Sequence, residues 1–553
     1  MWGGGGGLLG LPGPCSLRAM SSSSRPWLLC TALLLGLALP FVGKPVHIDD
    51  ANFLALARGA RLDLWRPHAV PINWQGTTER AFDVLSNPPG IGWWLAPVAT
   101  APEWVQHLWM LPWLVLLALG AWRLGRRFGG DGAAGVLLLG TAPIAVLAAQ
   151  SLTPDLPLLA LTVAGLGGFI AAVDAGRQRA AAGWAVVAGS AVLFRYSGVT
   201  LLPLLLLYPL LMGRKPWGAL AGFVPLVLLS LHDLHAYGTL HVVAMTGFQS
   251  SAWSGWELIR KQVAALAMLG AAGVLPFIVP VGRWRRLGVA VLVAALIGMF
   301  CGRGAVYMAG MPLGAAVWTG LCAGAGALML LGPVLIAEDS PREARPERLF
   351  LTAWALGGFL FLLALRFTAA RYWLPFLPAV ALAWLRLRPS RTQLIFAVGL
   401  QVLLALGLSV DDLAMARIGR DAAYAVDAGA DAHATQCEDG SGERVFAGHW
   451  GWQHYLEGSG WRSLEDEERL LPGTLLAVAE TPWPQEPAAD ICLEKLWEQR
   501  YPDAWPGPRV HTAAGFANLH ASLVAGQPPV VTFVPWTLAS DPYEWVVLYR
   551  VCD

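Results

Sequence analysis

Apolar runs long enough to cross a membrane recur along the first three quarters of the chain. A helix needs about 20 apolar residues to span a bilayer, and such runs predict about thirteen spans between residues 27 and 410. From residue 411 onward the apolar runs shorten to strand length, with Pro, Gly and acidic residues between them. This second pattern is typical of a soluble α/β domain. The expected fold class is therefore mainly α: a polytopic transmembrane helical bundle with a small C-terminal α/β domain.

The pattern divides the chain into three segments. Residues 1–26 are rich in Gly and Ser and are expected to be disordered. Residues 27–410 contain the apolar spans and, after the first of them, a large polar loop over 44–103. Residues 411–553 form the predicted C-terminal domain. Strands are expected there over Arg444–Ala447, Thr474–Ala479, Val530–Val534 and Trp545–Val551, and helices over Gln453–Glu457 and Ile491–Gln499.

Basic residues gather where every second predicted span ends. Because cytoplasmic loops hold the excess of Lys and Arg, these ends are predicted to face the cytoplasm. By alternation, the 44–103 loop, the turns near 150–156 and 366–372 and the C-terminal domain are predicted to face outside. Examples of the basic ends are Arg123, Arg126 and Arg127 after the second span, Arg214 and Lys215 after the sixth, and Arg386 and Arg388 after the twelfth.

Composition agrees with a membrane protein and excludes some partners. Only 14% of the residues are charged and 56% are hydrophobic, whereas roughly a quarter would be charged in a soluble domain. The net charge of +1 gives no basic field for nucleic acid. The seven cysteines have no metal-binding spacing. One disulfide among Cys437, Cys492 and Cys552 is expected if the C-terminal domain is exported, and the sequence leaves the pair open.

The first polar stretch after the first span, Val46–Phe53, contains adjacent acids, Asp49 and Asp50. Carboxylates are expensive to place near lipid, so they should face water or a substrate. A neighbouring like charge and desolvation both raise a carboxyl pKa, which is what a general base requires. The pair could equally cap a helix beginning near Ala51. One acid could cap while the other acts.

Two further polar motifs lie on the predicted outer face. Asp155 occupies the short turn Thr153–Pro157, either as a second acid of the site or as a helix cap. The prolines of Asn87-Pro88-Pro89 impose an extended conformation before an aromatic pair. That loop could serve a substrate or re-enter the bilayer.

Four arginines in or beside apolar stretches are the remaining candidates: Arg195, Arg303, Arg366 and Arg371. An unpaired guanidinium would be expensive in such surroundings. Phosphate is the partner that the planar guanidinium fits best, through two parallel hydrogen bonds. Alternatively, these side chains snorkel or pair with the carboxylates named above.

Taken in order, these motifs resemble those of a known enzyme family. The acid pair, the Pro-Pro motif late in the same loop, the Asp155 turn and the stretch Arg371–Pro378 together resemble the polytopic GT-C glycosyltransferases. Among these enzymes, the motifs of this chain most resemble glycosyltransferase family 39, which includes protein O-mannosyltransferases and the aminoarabinose transferases of lipid A. The aromatic-Gly turn His235–Thr239 also fits. The resemblance covers about residues 28–410.

The resemblance implies a glycosyltransferase with a GT-C-like transmembrane domain. Its donor would be a sugar linked to polyprenyl phosphate, and its acceptor a hydroxyl group of a glycan, lipid or protein, with inversion at the anomeric carbon. Asp49 matches the catalytic acid that acts as base toward the acceptor, and Asp50 adjoins it. Arg371 and Tyr372 match the motif expected near the lipid phosphate. The expected setting is a bacterial inner membrane, with the site and the C-terminal domain facing the periplasm.

Some positions depart from the family pattern. Relatives often have Glu second in the acid pair and Lys or His before the prolines, where this chain has Asp50 and Asn87. A basic residue is common where this chain has Asn52. Donor identity therefore stays open. A divalent metal ion on Asp49, Asp50 and Asp155 also stays open, because GT-C enzymes differ in this respect, and no other cofactor is implied.

Two other functions are considered. A transporter or lipid-linked-glycan flippase would place charges through the bilayer midplane and show internal repeats, and the sequence has neither. A non-catalytic scaffold would only present the C-terminal domain. The aromatic stretch Gly448–Tyr455 in that domain could stack on sugars, but a packed strand-to-helix junction is favoured.

Overall fold

The computed structural model describes most of the membrane segment and most of the C-terminal segment. The described residues are 25–74, 76–249, 255–272, 296, 313–336, 345–366, 368–434, 442–502, 505–512, 517–520 and 534–552. The predicted disordered N-terminus, Arg303, Cys437 and most of the strand expected over Val530–Val534 lie outside them. All statements below concern the described residues.

Helices dominate the described residues up to 434, and one more helix lies in the C-terminal segment. Eighteen are described: α1 Arg25–Ala38, α2 Asp50–Leu62, α3 Ala81–Val84, α4 Gly90–Leu95, α5 Glu103–Leu124, α6 Gly132–Gly140, α7 Pro143–Ala149, α8 Asp155–Asp174, α9 Gln178–Gly189, α10 Leu201–Leu211, α11 Val224–Tyr237, α12 His241–Gln249, α13 Gly255–Ala271, α14 Leu313–Ile336, α15 Arg345–Ala364, α16 Leu377–Leu385, α17 Arg391–Ala434 and α18 Trp450–Gly458.

Six helices are long and apolar enough to cross a membrane, or seven if the bent pair α6 and α7 counts as one span. The helices around Arg195 are interrupted, because α9 and α10 are separated by two 3₁₀ turns with Arg195 between them. The predicted fold class is confirmed: the chain is mainly helical, with a small sheet region near its C-terminus. The expected count of about thirteen spans stays a prediction.

The two ends of α8 lie in separate charge clusters. At its first residue, Asp155 is paired with Arg195. At its last residue, Asp174 Oδ2 lies 2.6 Å from Arg127 Nε. The helix has 20 residues and is therefore about 30 Å long, close to the thickness of the hydrocarbon core. The charges are thus separated along the helix axis by about the width of a bilayer.

The Asp174 end belongs to what we call the Glu347 cluster: Arg127, Asp174, Glu347 and Arg386. Glu347 accepts hydrogen bonds from both arginines, and Tyr208 donates to Asp174 at 2.8 Å. Arg127 and Arg386 stand in two of the basic ends from which the cytoplasmic face was predicted. The structure brings these ends together on one side of the helices.

Nine strands are described: β1 Pro71–Asn73, β2 Thr78–Arg80, β3 Arg444–Ala447, β4 Arg462–Ser463, β5 Leu475–Ala479, β6 Leu493–Tyr501, β7 His511–Thr512, β8 Ala517–Asn518 and β9 Glu544–Val551. Five of them form a mixed sheet in the order β4-β3-β5-β9-β6. β3 is parallel to β4 and β5, and β9 is antiparallel to β5 and β6. The aromatic residues Trp450, Trp452 and Tyr455 of α18 are buried, which confirms the packed junction favoured for this stretch.

The helix α17 connects the membrane segment to this sheet without a break. Its 44 residues give a length of about 66 Å, roughly twice the hydrocarbon thickness. Near its middle, Asp411 Oδ1 lies 2.8 Å from Arg509 Nε. Near its end, Asp431 Oδ1 lies 2.6 Å from Arg444 Nη2 at the start of β3. The boundary predicted at residue 410 therefore falls inside a helix, and the three-domain division stays a prediction.

One predicted element is wrong. Ile491–Gln499 was expected to be helical, but Leu493–Tyr501 is a strand that pairs with β9. The register shifts between Lys495 and Trp497. Because such a bulge adds a residue to one strand, it breaks the alternation of apolar and polar positions by which a strand is recognised.

Candidate active site

Asp49 lies where the first polar loop turns sharply. Ile48, the residue before it, has a φ of 48°, which a β-branched side chain rarely adopts. His47 Nε2 lies 3.5 Å from Asp412, whereas Asp49 Oδ2 lies 2.6 Å from Arg371 Nη1. Asp49 occupies the N-cap position of α2, but its side chain makes no capping hydrogen bond. The carboxylate is directed to a guanidinium group instead of the helix.

Asp155 and two arginines complete what we call the Asp49 cluster: Asp49, Asp155, Arg195 and Arg371. Arg195 donates a hydrogen bond to Asp155 Oδ1, and Asp155 Oδ2 lies 3.9 Å from Arg371 Nη1. Asp155 is the first residue of α8, and no side chain caps that helix. The four side chains are between 3% and 17% exposed. The structure thus brings together two acids and two arginines that the sequence singled out separately.

Tyr372 covers the two guanidinium groups. The centre of its ring lies 4.7 Å from Cζ of Arg195 and 5.9 Å from Cζ of Arg371, within the range of cation–π attraction. Arg371 and Tyr372 belong to a 3₁₀ turn over Ala370–Trp373 that follows the extended residue Ala369. The turn therefore presents both side chains to the cluster.

Arg371 has hydrogen-bonding capacity left for a ligand. Burial alone would lower the pKa of Arg371, but the Asp49 and Asp155 carboxylates outweigh it and raise the pKa above its ordinary value. Its Nε is buried and has no hydrogen-bond partner among the described residues. A charged donor without a partner beside a membrane segment favours an anionic ligand.

Asp50 points away from the Asp49 cluster. Its Oδ1 accepts the backbone N–H of Leu152 at 2.8 Å, and its Oδ2 accepts that of His47 at 3.4 Å. The residue is fully buried. Burial raises the pKa of Asp50 to about 6, although the Lys44 ammonium and the Leu152 N–H oppose the shift. Asp50 therefore ties the polar loop to the turn before α8, and a catalytic part for it stays a prediction.

The Asn87-Pro88-Pro89 motif lies against the turn that leads to Arg195. Pro89 occupies the N-cap position of α4. A Cβ added at the next residue, Gly90, would lie 2.3 Å from the carbonyl oxygen of Leu193, so only glycine allows this contact. The Asn87 carbonyl accepts a hydrogen bond from His68 Nε2 at 2.9 Å. The geometry supports a packing role for this motif.

Two predicted phosphate ligands are not seen in the cluster. Arg366 is half-buried and has an interaction of its own. Arg303 lies outside the described residues. Their roles stay predictions.

The three acids considered for a metal do not converge. Asp49 and Asp155 are paired with arginines, and Asp50 accepts backbone N–H groups. Within the described ranges, one group of three side chains has ligand atoms within 4.8 Å of one another, namely His47, Asp412 and His520. The geometry gives no support to a metal on Asp49, Asp50 and Asp155.

Sequence reasoning missed a second buried cluster beside Asp50. Lys44 Nζ lies 2.7 Å from Asp412 Oδ2, and His520 Nε2 lies 2.8 Å from Asp412 Oδ1. A signal was present in the sequence: Asp411 and Asp412 are adjacent acids at the end of a membrane-length apolar run. Charges at such a position need partners.

A cavity of about 220 Å³ opens beside α2. Among the residues that line it are Asn52 and Arg58 of α2 and Gln453 and Glu457 of α18. The cavity runs along α2, whose N-cap residue is Asp49.

Comparison with solved structures gives matches at low identity, of which three are described here. ArnT from Cupriavidus metallidurans in the apo state is 16% identical, with a TM-score of 0.38, and the match covers 83% of this chain and 93% of that one. The same protein bound to undecaprenyl phosphate has a TM-score of 0.37 at 16% identity, covering 83% and 94%. An oligosaccharyltransferase from Archaeoglobus fulgidus, tethered to an acceptor peptide, is 14% identical, with a TM-score of 0.44, covering 80% and 64%. No curated protein matches the chain.

A family model matches part of the chain. The family described as dolichyl-phosphate-mannose-protein mannosyltransferase matches residues 86–233. The matched segment includes Asn87, Asp155 and Arg195. With six membrane-length helices, the chain is an integral, multi-pass membrane protein. Over this segment the match bears out the predicted resemblance to the GT-C glycosyltransferases, while Asp49 and the Arg371–Pro378 stretch lie outside it.

Proposed function

We propose that this protein is a membrane glycosyltransferase that moves a sugar from a polyprenyl-phosphate-linked donor to a hydroxyl acceptor, with inversion. The observation that carries the proposal is the Asp49 cluster, in which a candidate base lies 2.6 Å from a half-buried arginine. The family match over residues 86–233 supports the same reaction class, and one of the similar structures is bound to undecaprenyl phosphate.

The donor phosphate binds to Arg371 and Arg195. The unpartnered Nε of Arg371 and its neighbouring Nη group form the fork that phosphate oxygens accept. Tyr372 lies against both guanidinium groups and keeps them in place. In this position the two positive charges stabilise the negative charge that builds up on the departing phosphate.

Donor binding also releases the base. In the structure described here, the Asp49 carboxylate is held by Arg371. A phosphate that takes over this guanidinium weakens the hold on Asp49, whose carboxylate then accepts a proton from the acceptor. The Asp155 carboxylate keeps Arg195 and Arg371 oriented.

The reaction is a single displacement at the anomeric carbon. The acceptor oxygen forms a bond to this carbon on the face opposite the phosphate while its proton passes to Asp49. The bond between the anomeric carbon and the phosphate oxygen breaks, and its electron pair leaves on polyprenyl phosphate. Attack from the opposite face inverts the configuration.

The acceptor approaches along α2. Asn52, Arg58, Gln453 and Glu457 offer hydrogen bonds along the cavity, which suits a polar acceptor of the glycan, lipid or protein class. The transferred sugar is a hexose or a pentose. The setting is a bacterial inner membrane, with the Asp49 cluster and residues 411–553 on the periplasmic side.

The substitution Asp49→Asn tests the proposal. A positioned general base contributes about 10²–10⁴-fold, so the variant should lose at least about a hundredfold of the transfer rate while still inserting into the membrane. Mass spectrometry of polyprenyl-linked sugars and of surface glycans, in cells with and without the protein, first identifies the product to follow.

Asp63→Asn is the matched control, because Asp63 is an exposed acid at the other end of α2. It should keep normal transfer. Full turnover by Asp49→Asn would defeat the assignment. Uptake of a labelled donor into vesicles without product would instead favour a transporter or flippase.

A further inference from the structure

Three side chains from distant parts of the chain meet outside the Asp49 cluster. His47 comes from the first polar loop, Asp412 from the middle of α17 and His520 from the C-terminal segment. Their potential ligand atoms lie within 4.8 Å of one another. None of the three takes part in the proposed transfer.

One potential ligand atom of the cluster lacks a hydrogen bond, and another is hydrogen-bonded to the shared carboxylate. His47 Nε2 is buried and makes no hydrogen bond among the described residues, although it lies 3.5 Å from Asp412 Oδ1. His520 Nε2 lies 2.8 Å from the same oxygen. Ligand atoms around a tetrahedral zinc ion are about 3.3 Å apart. Two imidazole nitrogens and one carboxylate oxygen at these distances need only small movements to share an ion.

The Asp412 carboxylate is held in place by a second side chain, as metal-binding carboxylates commonly are. Lys44 Nζ lies 2.7 Å from the other oxygen of Asp412, Oδ2, and so fixes which oxygen faces the imidazoles. Metal-binding carboxylates are commonly held in this way by a second hydrogen bond.

We propose that His47, Asp412 and His520 bind a divalent transition metal ion, with Zn²⁺ the best match to two imidazoles and a carboxylate. A water molecule completes the tetrahedral set. The ion joins the polar loop, α17 and the C-terminal segment, and its role is to hold that segment against the end of the membrane helices.

The metal content of the purified protein tests the proposal. Full-length protein carrying a tag without histidines is equilibrated with Zn²⁺, desalted and measured by mass spectrometry of the elements. The expected result is about one zinc ion per chain. His47→Gln and His520→Gln should each reduce zinc at least fivefold, and removal of zinc by a chelator should lower the unfolding temperature of the unsubstituted protein by several degrees.

Two control variants separate this site from other causes. His454→Gln removes a histidine outside the cluster and should keep the zinc. Asp49→Asn should also keep it, so that the metal proposal can fail or hold independently of the transfer reaction. If His47→Gln does not fold, His520→Gln and the chelation of the unsubstituted protein decide. The proposal is overturned if the unsubstituted protein holds no more zinc than His520→Gln, or if chelation leaves its unfolding temperature unchanged.

Discussion

At the scale of single residues, charge next to apolar sequence was the informative signal. Asp49, Asp155, Arg195 and Arg371 were each selected because a charge is expensive there, and the structure pairs them with one another. The sequence could not predict that Asp49 would pair with Arg371 while Asp50 accepts backbone N–H groups. This difference depends on the left-handed backbone at Ile48, which follows from tertiary packing rather than from local preference.

The buried Asp50 predicts a pH dependence of stability. Its pKa is raised from 3.8 to about 6 in the folded protein, so the folded state holds this proton more tightly than the unfolded state. The resulting stabilisation is complete below about pH 4 and is lost as the pH rises through about 6, by up to about 3 kcal/mol. Asp50→Asn, which mimics the neutral acid, should remove this loss.

The measurement is the difference in unfolding free energy between Asp50→Asn and the unsubstituted protein at several pH values. The variant should gain relative stability between pH 4 and pH 7. A difference that does not change with pH would contradict the raised pKa.

The Arg371 fork predicts a loss of lipid-phosphate affinity in Arg371→Lys. Lysine keeps the charge but cannot make two parallel hydrogen bonds. Losing one charged hydrogen bond costs about 1.5–3 kcal/mol, so Kd for undecaprenyl phosphate should rise roughly ten- to hundredfold. Titration of protein in lipid nanodiscs measures it. Arg386→Lys, a half-buried arginine of the Glu347 cluster, is the control and should bind normally.

At the scale of elements, the helices in apolar sequence can be predicted, whereas only some of the short strands can. The strands expected over Arg444–Ala447, Thr474–Ala479 and Trp545–Val551 correspond to β3, β5 and β9. The strand β6 was mistaken for a helix because its bulge disturbs the two-residue repeat. The sequence analysis also did not predict that α17 extends past residue 410. The second half of this helix is polar, and that change in composition is typical of the start of a separate domain.

The pairing of β6 with β9 favours Cys492 and Cys552 as the predicted disulfide pair. Cys552 donates its backbone N–H to the Cys492 carbonyl at 3.0 Å, so the two residues face each other at the ends of these strands. Antiparallel neighbours of this kind have Cα atoms about 5.5 Å apart, which a disulfide can bridge. Cys437 lies outside the described residues.

If the C-terminal segment is exported, a thiol–disulfide oxidoreductase should oxidise this pair. Peptide mapping without reductant should then show Cys492 linked to Cys552. Reduction should lower the unfolding temperature of the unsubstituted protein but not that of Cys552→Ser. Recovery of both thiols in alkylated form from untreated protein would contradict the prediction.

At the scale of the whole molecule, the sequence predicted which polar groups share a face. The basic ends of alternate spans are predicted to lie on one side and the acids on the other. In the structure, α8 carries the Asp49 cluster at its first residue and the Glu347 cluster at its last. The number of spans could not be predicted as well, because interrupted helices such as those around Arg195 leave apolar pieces shorter than a bilayer.

Labelling of single cysteines tests this orientation. In a background without the seven native cysteines, Gly458→Cys near the sheet should react with a membrane-impermeant reagent in intact cells. Ser390→Cys, exposed just before α17, should react only after permeabilisation. The reverse pattern would place the Asp49 cluster in the cytosol and remove the basis of the proposed reaction.

The unbroken course of α17 has a mechanical consequence. An unbroken helix transmits a rotation from one end to the other, because it contains no loop or kink that could absorb the rotation. One residue inserted between Asp412 and Asp427 would rotate everything beyond it by about 100° and lift it by about 1.5 Å. Asp427 and Asp431 would then turn away from Arg444, while Asp412 kept its place beside Lys44. A large molecule that pushed the sheet sideways would therefore turn α17 and move Asp412. Asp412 lies 3.5 Å from His47, which is two residues before Asp49, so the movement would reach the start of the polar loop.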